Sequence, residues 1–152
     1  MTVPPIIDLQ PQLNAIRRCF IAYWRNPDAE AAATELWGGP FGPRETERID
    51  LPGHAQWHAE IHLAPAPNGT WAMNLSYSYA TGGSAAPITP WCRYAYPSRD
   101  SALDAGSDTL IRRFLELPAV PYLLTPAQRD LAHQMAEQIR IFRAARNQLA
   151  LF

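Results

Sequence analysis

The sequence predicts an α+β fold: N-terminal helices, a three- to four-stranded antiparallel meander, and two C-terminal helices. Apolar residues recur at helical spacing before residue 38 and after residue 98, whereas apolar and polar residues alternate between residues 57 and 79. Of the 152 residues, 47% are hydrophobic and 18% are charged, which is typical of a domain with a core. We expect a loose N-terminal arm at 1–10, one domain at 11–147 and a tail at 148–152.

The first two helices are predicted from proline positions and periodicity. Pro11 suits the first turn of a helix, where its missing N–H costs nothing. An apolar stripe follows at helical spacing, formed by Leu13, Ile16, Cys19, Phe20, Tyr23 and Trp24. Asn26 and Pro27 then predict the N-cap and first residue of a second helix, which we expect to end at Gly38-Gly39.

Residues 40–97 predict the sheet. Ile49 and Leu51 suit a short edge strand, and the segment from Trp57 to Leu63 alternates apolar and polar residues. Asn68-Gly69 predicts a tight turn. The strand from Trp71 to Tyr79 follows it. We expect a Gly-Gly-Ser loop next, and then a third strand around residues 91–96.

Two helices are predicted after the sheet. Ser98 is the expected N-cap of the first, whose apolar stripe is Leu103, Gly106, Leu110, Phe114 and Leu117. Pro118 and Pro121 should end it. Thr125 and Gln128 form a predicted capping box for the last helix. Its apolar stripe is Leu131, Met135, Ile139 and Phe142, and we expect it to fray near 145–147.

Charge and composition narrow the expected location and partners. The net charge is −1, and all 13 basic residues are arginine. A general attraction to nucleic acid or anionic membrane is therefore not expected. The first ten residues lack the pattern of a signal peptide, and no apolar run approaches the ~20 residues of a membrane span. We expect a soluble, cytoplasmic protein without membrane contact, in which Cys19 and Cys92 are half-buried free thiols.

The last five residues carry the most specific signal. They read Gln148, Leu149, Ala150, Leu151 and Phe152. On a continuing helix, Leu149 and Leu151 would diverge by about 200° and could not share one face. As an extended peptide, the same residues suit a groove that accepts a glutamine, a leucine and a Leu-Phe pair.

This pentapeptide resembles the clamp-binding peptide of bacterial replication and repair proteins, whose usual form is Gln-Leu-x-Leu-Phe. The resemblance covers four of the five positions, and Ala150 occupies the variable one. It implies that the partner is the bacterial DNA polymerase sliding clamp (its beta subunit). By resemblance, Gln148 is the polar anchor, Leu151 and Phe152 fill an apolar pocket, and Leu149 adds an apolar contact. The alternative is that the chain end packs into its own core.

Arg140, Arg143 and Arg146 precede the tail at three-residue spacing and form one ridge of the last helix. They are either a solvated face that suits the negative helix end or contacts to DNA or to an acidic surface of the clamp.

Other candidate sites have weaker support. His58, Glu60 and His62 share a strand face, but the two histidines would lie about 13 Å apart, too far to bind one metal ion. No nucleotide-binding loop or nucleophile motif occurs, so we expect no cofactor. The aromatic face of Trp71, Tyr77 and Tyr79 suits either a core or the stacking of bases.

These observations predict a small, non-enzymatic accessory protein of a bacterium, from a plasmid, phage or other mobile element. It would bind the sliding clamp through its linear motif and modulate DNA replication or repair. The alternatives are a nucleic-acid-acting enzyme that the same tail tethers to the clamp, with His58, Glu60 or His62 in its site, and an interaction module whose C-terminus is structural.

Overall fold

The computed structural model describes residues 4–149, with only the backbone at Leu149. Within that range the α+β prediction is confirmed: helices flank a four-stranded antiparallel sheet, and a second sheet has two strands. The helices are α1 (Gln10–Cys19), α2 (Pro27–Glu35), α3 (Arg99–Glu116) and α4 (Pro126–Leu149). The strands are β1 (Ile7–Asp8), β2 (Glu45–Asp50), β3 (His58–Pro65), β4 (Trp71–Tyr79), β5 (Gly82–Ala85) and β6 (Tyr94–Ala95).

The larger sheet is a meander in the order β2-β3-β4-β5. Its β3–β4 turn forms as predicted. Gly69 adopts a left-handed φ of 89°, the amide of Ala66 donates to the carbonyl of Thr70 at 2.8 Å, and Asn68 Oδ1 accepts from the amide of Thr70 at 3.0 Å. Local turn chemistry therefore determines this connection.

The prediction for the strand after β4 was wrong. Residues 82–85 form β5, paired with β4 in the register Tyr79↔Gly82 and Tyr77↔Ser84, although the sequence Gly-Gly-Ser had indicated a loop. The glycines are needed in the strand, because a Cβ at Gly83 would collide with the carbonyl oxygen of Tyr77. Of the predicted strand at 91–96, only Tyr94–Ala95 forms one, and it pairs with β1.

The N-terminal arm is more ordered than predicted. Ile7 pairs with Ala95 in the two-stranded sheet, and the amide of Leu9 donates to the carbonyl of Arg93 at 2.8 Å. Leu9 itself is buried. Because these backbone groups find partners about 85 residues away along the chain, their order was invisible to local sequence patterns.

The first helix is shorter than its apolar stripe predicted. It ends at Cys19, Phe20 is extended, and Ala22 has a left-handed φ of 52° before a 3₁₀ turn at Tyr23–Arg25. The cap of the second helix is confirmed, since Asn26 Oδ1 accepts from the amides of Asp28 at 2.9 Å and Ala29 at 3.3 Å. Helix α2 ends at Glu35, and Gly38 follows with a φ of 82°.

The caps of the last two helices are confirmed. Ser98 Oγ accepts from the amide of Ser101 at 3.1 Å. Thr125 and Gln128 form the reciprocal capping box, with distances of 2.9 Å and 3.2 Å. Helix α4 does not fray at 145–147 but continues to Leu149, because alanine, arginine and glutamine favour the helix there and neither glycine nor proline interrupts it.

The chain divides into two compact units. The first comprises residues 4–45, 62–74 and 87–103, and the second comprises 46–61, 75–86 and 104–149. The first unit has an apolar core formed by Leu9, Leu13, Ala33, Trp37, Ala64, Ala66, Ala72, Ile88, Cys92 and Ala95. Trp37 is fully buried in it, and its Nε1 donates to the carbonyl of Pro90 at 3.0 Å.

The second unit is built around Phe114. The ring centroid of this residue lies 6.3 Å from that of Trp57 and 5.7 Å from that of Tyr77. On α4, Met135 and Ile139 of the predicted stripe are fully buried. The predicted stripe of α3 is buried throughout, whereas Leu131 and Phe142 of the predicted α4 stripe are only half-buried.

Replacing Phe114 with alanine should destabilise the fold by about 3–5 kcal/mol, because a fully buried aromatic ring leaves a cavity. Urea unfolding followed by circular dichroism measures this change. Ile141→Ala is the control, since Ile141 is 53% exposed and its loss should alter the free energy of unfolding by less than about 1 kcal/mol. Equal effects of the two substitutions would contradict the packing described for the second unit.

Candidate functional site

The end of α4 is the part of the described structure nearest the predicted clamp-binding tail. Met135 and Ile139 bury one face of this helix, but residues 144–148 are all exposed. The described end of α4 therefore packs no side chain into a core beyond Arg143. Ala150, Leu151 and Phe152, which carry most of the predicted contact, lie outside the described residues.

Gln148 and Leu149, the first two residues of the motif, belong to the last turn of α4. The side chain of Gln148 is exposed. Extending Gln148 would break the hydrogen bond of its own amide to the preceding turn, but it would expose no buried side chain.

The predicted arginine ridge is engaged in ion pairs within the chain. Arg140 Nη1 lies 3.3 Å from Glu137 Oε2. Arg143 Nε lies 3.0 Å from Asp104 Oδ1, and Nη1 of the same residue pairs with Asp108. These contacts connect α4 to α3 and to its own preceding turn.

Arg146 is paired with a carboxylate of the sheet. Its Nη2 lies 2.6 Å from both carboxylate oxygens of Glu47, which comes from β2. The Glu47 side chain is only 17% exposed, and the Arg146 guanidinium also lies 5.4 Å from the ring centroid of Phe142. Arg146 therefore anchors the last turns of α4 to the sheet of the second unit.

These ion pairs reduce the positive charge that the ridge presents to a partner. Hydrogen bonding to Asp104 raises the pKa of Arg143, so this guanidinium stays protonated at any accessible pH. Four carboxylates surround the three guanidinium groups. A DNA phosphate would have to compete with them, which makes the ridge a poor DNA contact. Contact of the ridge with DNA or with the clamp stays a prediction.

The histidines of β3 are not gathered into a metal site. Ala59 and Ile61 are buried, and the intervening His58, Glu60 and His62 are half-buried. Arg48 Nη1 lies 3.4 Å from Glu60 Oε1, which occupies that carboxylate. Among residues 4–149, no group of three or more His, Cys, Asp or Glu side chains is arranged to hold a metal ion.

The aromatic residues of β4 belong to packing rather than to an open stacking platform. Tyr77 and Tyr79 are half-buried and stack with centroids 6.4 Å apart. Tyr79 also lies 6.3 Å from Trp57. Trp71 is half-buried, and its backbone forms a bridge with Tyr96. The interpretation of this face as core is therefore favoured over base stacking.

A shallow cleft in the second unit has a volume of about 260 Å³. Its lining includes His54, Trp57, Ala80, Gln128 and Leu131. The volume falls below the range of about 300–1,000 Å³ typical of small-molecule sites, and the Gln128 amide oxygen already caps α4. The cleft has few polar groups left to orient a ligand.

The sequence analysis did not predict an exposed cluster of aromatic and basic residues at the end of α1 and in the 3₁₀ turn that follows it. Trp24 is 69% exposed and Ile21 is 95% exposed, and the guanidinium carbon of Arg17 lies 5.3 Å from the ring centroid of Tyr23. The helical spacing of these residues predicted one continuous buried stripe, so their exposure was not expected. The clue in the sequence was the run of three arginines uninterrupted by an acidic residue.

The comparisons with known proteins give no relative. No protein-family profile, curated protein or solved structure matches this chain. In the described part of the chain, no helix combines the length and the apolar character needed to cross a lipid bilayer. The functional proposals therefore depend on the residues themselves.

The two cysteines differ more than predicted, since Cys19 is exposed and Cys92 is buried. Burial raises the pKa of the Cys92 thiol, so this residue stays protonated at neutral pH. We expect a thiol reagent at pH 8 to label one cysteine in the native protein and two after unfolding. Cys19→Ser should abolish the native labelling. Labelling of the native Cys19→Ser protein at the same rate would contradict the burial of Cys92.

The contribution of the Arg146–Glu47 ion pair to stability can be measured with Arg146→Gln, Glu47→Gln and the double variant. We expect a coupling free energy on the order of 1 kcal/mol, because a charged nitrogen of Arg146 donates to both oxygens of a carboxylate, but Arg146 is 42% exposed and screened by solvent. Urea unfolding of the three variants and the parent protein closes the thermodynamic cycle. The Arg140–Glu137 pair on the same helix, with both side chains at least half exposed, is the matched control and should show weaker coupling.

Proposed function

We propose that this protein binds the DNA sliding clamp of a bacterium through residues 148–152 and modulates DNA replication or repair in the cytoplasm. The observation that carries the proposal is the pentapeptide itself, in which Gln148, Leu149, Leu151 and Phe152 match the motif Gln-Leu-x-Leu-Phe. Chance agreement at four positions of one defined segment is rare, on the order of one in 10⁴ to 10⁵ at ordinary residue frequencies.

The exposure of α4 before the motif supports this proposal. Residues 144–148 pack into no core, so a partner can approach the helix end without disrupting the fold. The ion pair between Arg146 and Glu47 anchors the helix two residues before the motif begins. The peptide would therefore leave a fixed point on the domain, which limits the chain entropy that docking must remove.

Docking requires the last turn of the helix to open. Gln148 and Leu149 are helical in the free protein, whereas the groove is expected to accept an extended peptide. Helix ends lie at the low-stability end of a structure's local opening free energies. Five extended residues span about 17 Å, enough to place a polar anchor at one end of a groove and the Leu-Phe pair at the other.

The expected affinity is moderate. Burying Leu151 and Phe152 contributes about 1.5–3 kcal/mol for each side chain, and the glutamine amide adds hydrogen bonds that replace those to water. Ordering the peptide offsets part of this gain. A dissociation constant in the micromolar range, near −8 kcal/mol, is therefore expected. Such an affinity suits an accessory protein that exchanges on the clamp rather than one that binds it permanently.

Titration of purified clamp with the full chain should give saturable micromolar binding, measured by isothermal calorimetry. The double substitution Leu151→Ala, Phe152→Ala should weaken it at least about a hundredfold, because it removes both pocket-filling side chains. Ile141→Ala is the matched control, since it removes an exposed apolar side chain from the same helix without touching the motif.

Deletion of residues 148–152 separates docking from a structural role. The deletion should abolish clamp binding and change the free energy of unfolding by less than about 1 kcal/mol. A loss of several kcal/mol would show that the chain end packs into its own core. Clamp binding that is absent in the intact protein, or unaffected by the double substitution, would refute the proposal.

A further inference from the structure

The end of α1 and the 3₁₀ turn that follows it present a second surface whose chemistry the clamp-binding proposal does not use. We name it the Arg–Trp surface. Its residues lie within a stretch of nine positions in the first unit: Arg17, Arg18, Ile21, Tyr23, Trp24 and Arg25. Five of the six are aromatic or basic, and all six are exposed or half-buried.

This surface is positively charged although the protein as a whole is slightly acidic. No aspartate or glutamate occurs between Asp8 and Asp28. Arg17 donates from Nη1 to Asn14 Oδ1 at 3.1 Å, and Arg18 donates from Nε to the carbonyl of Asn14 at 3.3 Å. Within the described residues, neither arginine forms an ion pair, and the same holds for Arg25. Their charges therefore remain available to an anionic partner.

The aromatic rings of this surface are organised rather than scattered. Trp24 and Tyr23 meet edge to face with centroids 5.3 Å apart. Tyr23 in turn lies 5.0 Å from Trp91. The guanidinium carbon of Arg17 lies 5.3 Å from the centroid of Tyr23 and 5.5 Å from that of Trp91. Its Nε is buried without a hydrogen-bond partner, so cation–π contacts with the two rings hold the guanidinium in place.

The backbone turns sharply so that these groups face solvent. Ala22 adopts a left-handed φ of 52°, an unfavourable conformation for a residue with a Cβ. A turn of this kind projects Ile21, which is 95% exposed, and Trp24, which is 69% exposed. Ile21 and Trp24 lie three positions apart in the chain, and both leave large apolar side chains accessible to a partner.

We propose that the Arg–Trp surface binds single-stranded nucleic acid. Unpaired bases present flat apolar faces that stack on a ring such as Trp24, and their phosphates pair with arginines spaced along the same segment. Ile21 supplies an apolar contact beside the stacked base. A duplex hides its base faces, so it could use only the charges. A lipid surface would favour more than two inserted apolar side chains, and these rings are too closely packed on each other to insert independently.

The proposal is independent of the clamp, because none of the residues of the Arg–Trp surface belongs to the motif at residues 148–152. It can be tested by fluorescence anisotropy with a labelled oligothymidylate about 16 nucleotides long, the upper end of single-strand site sizes, and with no clamp present. We expect saturable binding whose affinity falls with salt, with a log–log slope of about −1.4 if two phosphates are neutralised.

Variants of Trp24 and of the arginines separate stacking from charge. Trp24→Ala should weaken binding at least about fivefold, whereas Trp24→Phe, which retains a ring, should preserve most of it. Arg18→Gln with Arg25→Gln should weaken binding and bring the salt slope towards zero. The matched controls are Arg112→Gln with Arg113→Gln, which removes two exposed charges from α3, and Tyr122→Ala, which removes a fully exposed ring elsewhere. Neither control should alter binding.

Three results would contradict the binding of single-stranded nucleic acid by this surface. Equal affinity for duplex and single strand would refute stacking. Binding to vesicles of anionic phospholipid, or to polyglutamate, without binding to the oligonucleotide would assign the surface to another partner and overturn the proposal. Absence of binding to all three probes, in protein whose circular dichroism and thermal unfolding match the parent, would overturn it as well.

Discussion

The packing of Phe114 against Trp57 and Tyr77 holds α3 on the sheet of the second unit, and the ion pairs between α3 and α4 depend on it. Once α3 is seated, Asp104 and Asp108 lie within reach of Arg143 on α4. Apolar burial is the larger and less directional contribution, whereas ion pairs at a half-exposed surface contribute little until their geometry is already established. Apolar packing therefore positions the helices, and the ion pairs then refine the position of α4.

The arginines of the α4 ridge and those of the Arg–Trp surface differ in their surroundings. Arg140, Arg143 and Arg146 are paired with carboxylates, so they serve the fold and hold α4 ahead of the predicted clamp-binding motif. Arg17 and Arg18 have aromatic or carbonyl neighbours instead. The net charge of −1 does not reveal this difference, because it sums the charges of the whole protein, whereas a partner contacts only one surface. The two proposed interactions use different physics: burial of an apolar peptide, and stacking combined with charge.

The elements predicted best were those whose causes are local. The capping box of Thr125 and Gln128 and the Asn68-Gly69 turn each involve residues at most three positions apart, and both formed as expected. The errors arose where a distant residue decided the outcome. Gly83 was assigned to a loop because glycine weakens strands in general, yet here its lack of a side chain permits the approach of Tyr77. The stripe through Tyr23 and Trp24 suggested one long helix, but Tyr23 packs with Trp91, about seventy residues away.

By itself, the sequence determined the α+β class, the helix caps, the buried stripes of α3 and α4, and the motif at residues 148–152, because each depends on neighbours within a few turns of backbone. Only the tertiary structure decided the strand at residues 82–85, the pairing of the N-terminal arm, the neutralisation of the α4 arginines and the exposure of Trp24. These features depend on contacts between residues far apart in the chain. Arg146 and Glu47, for example, are separated by 99 positions, and no local pattern records such a distance.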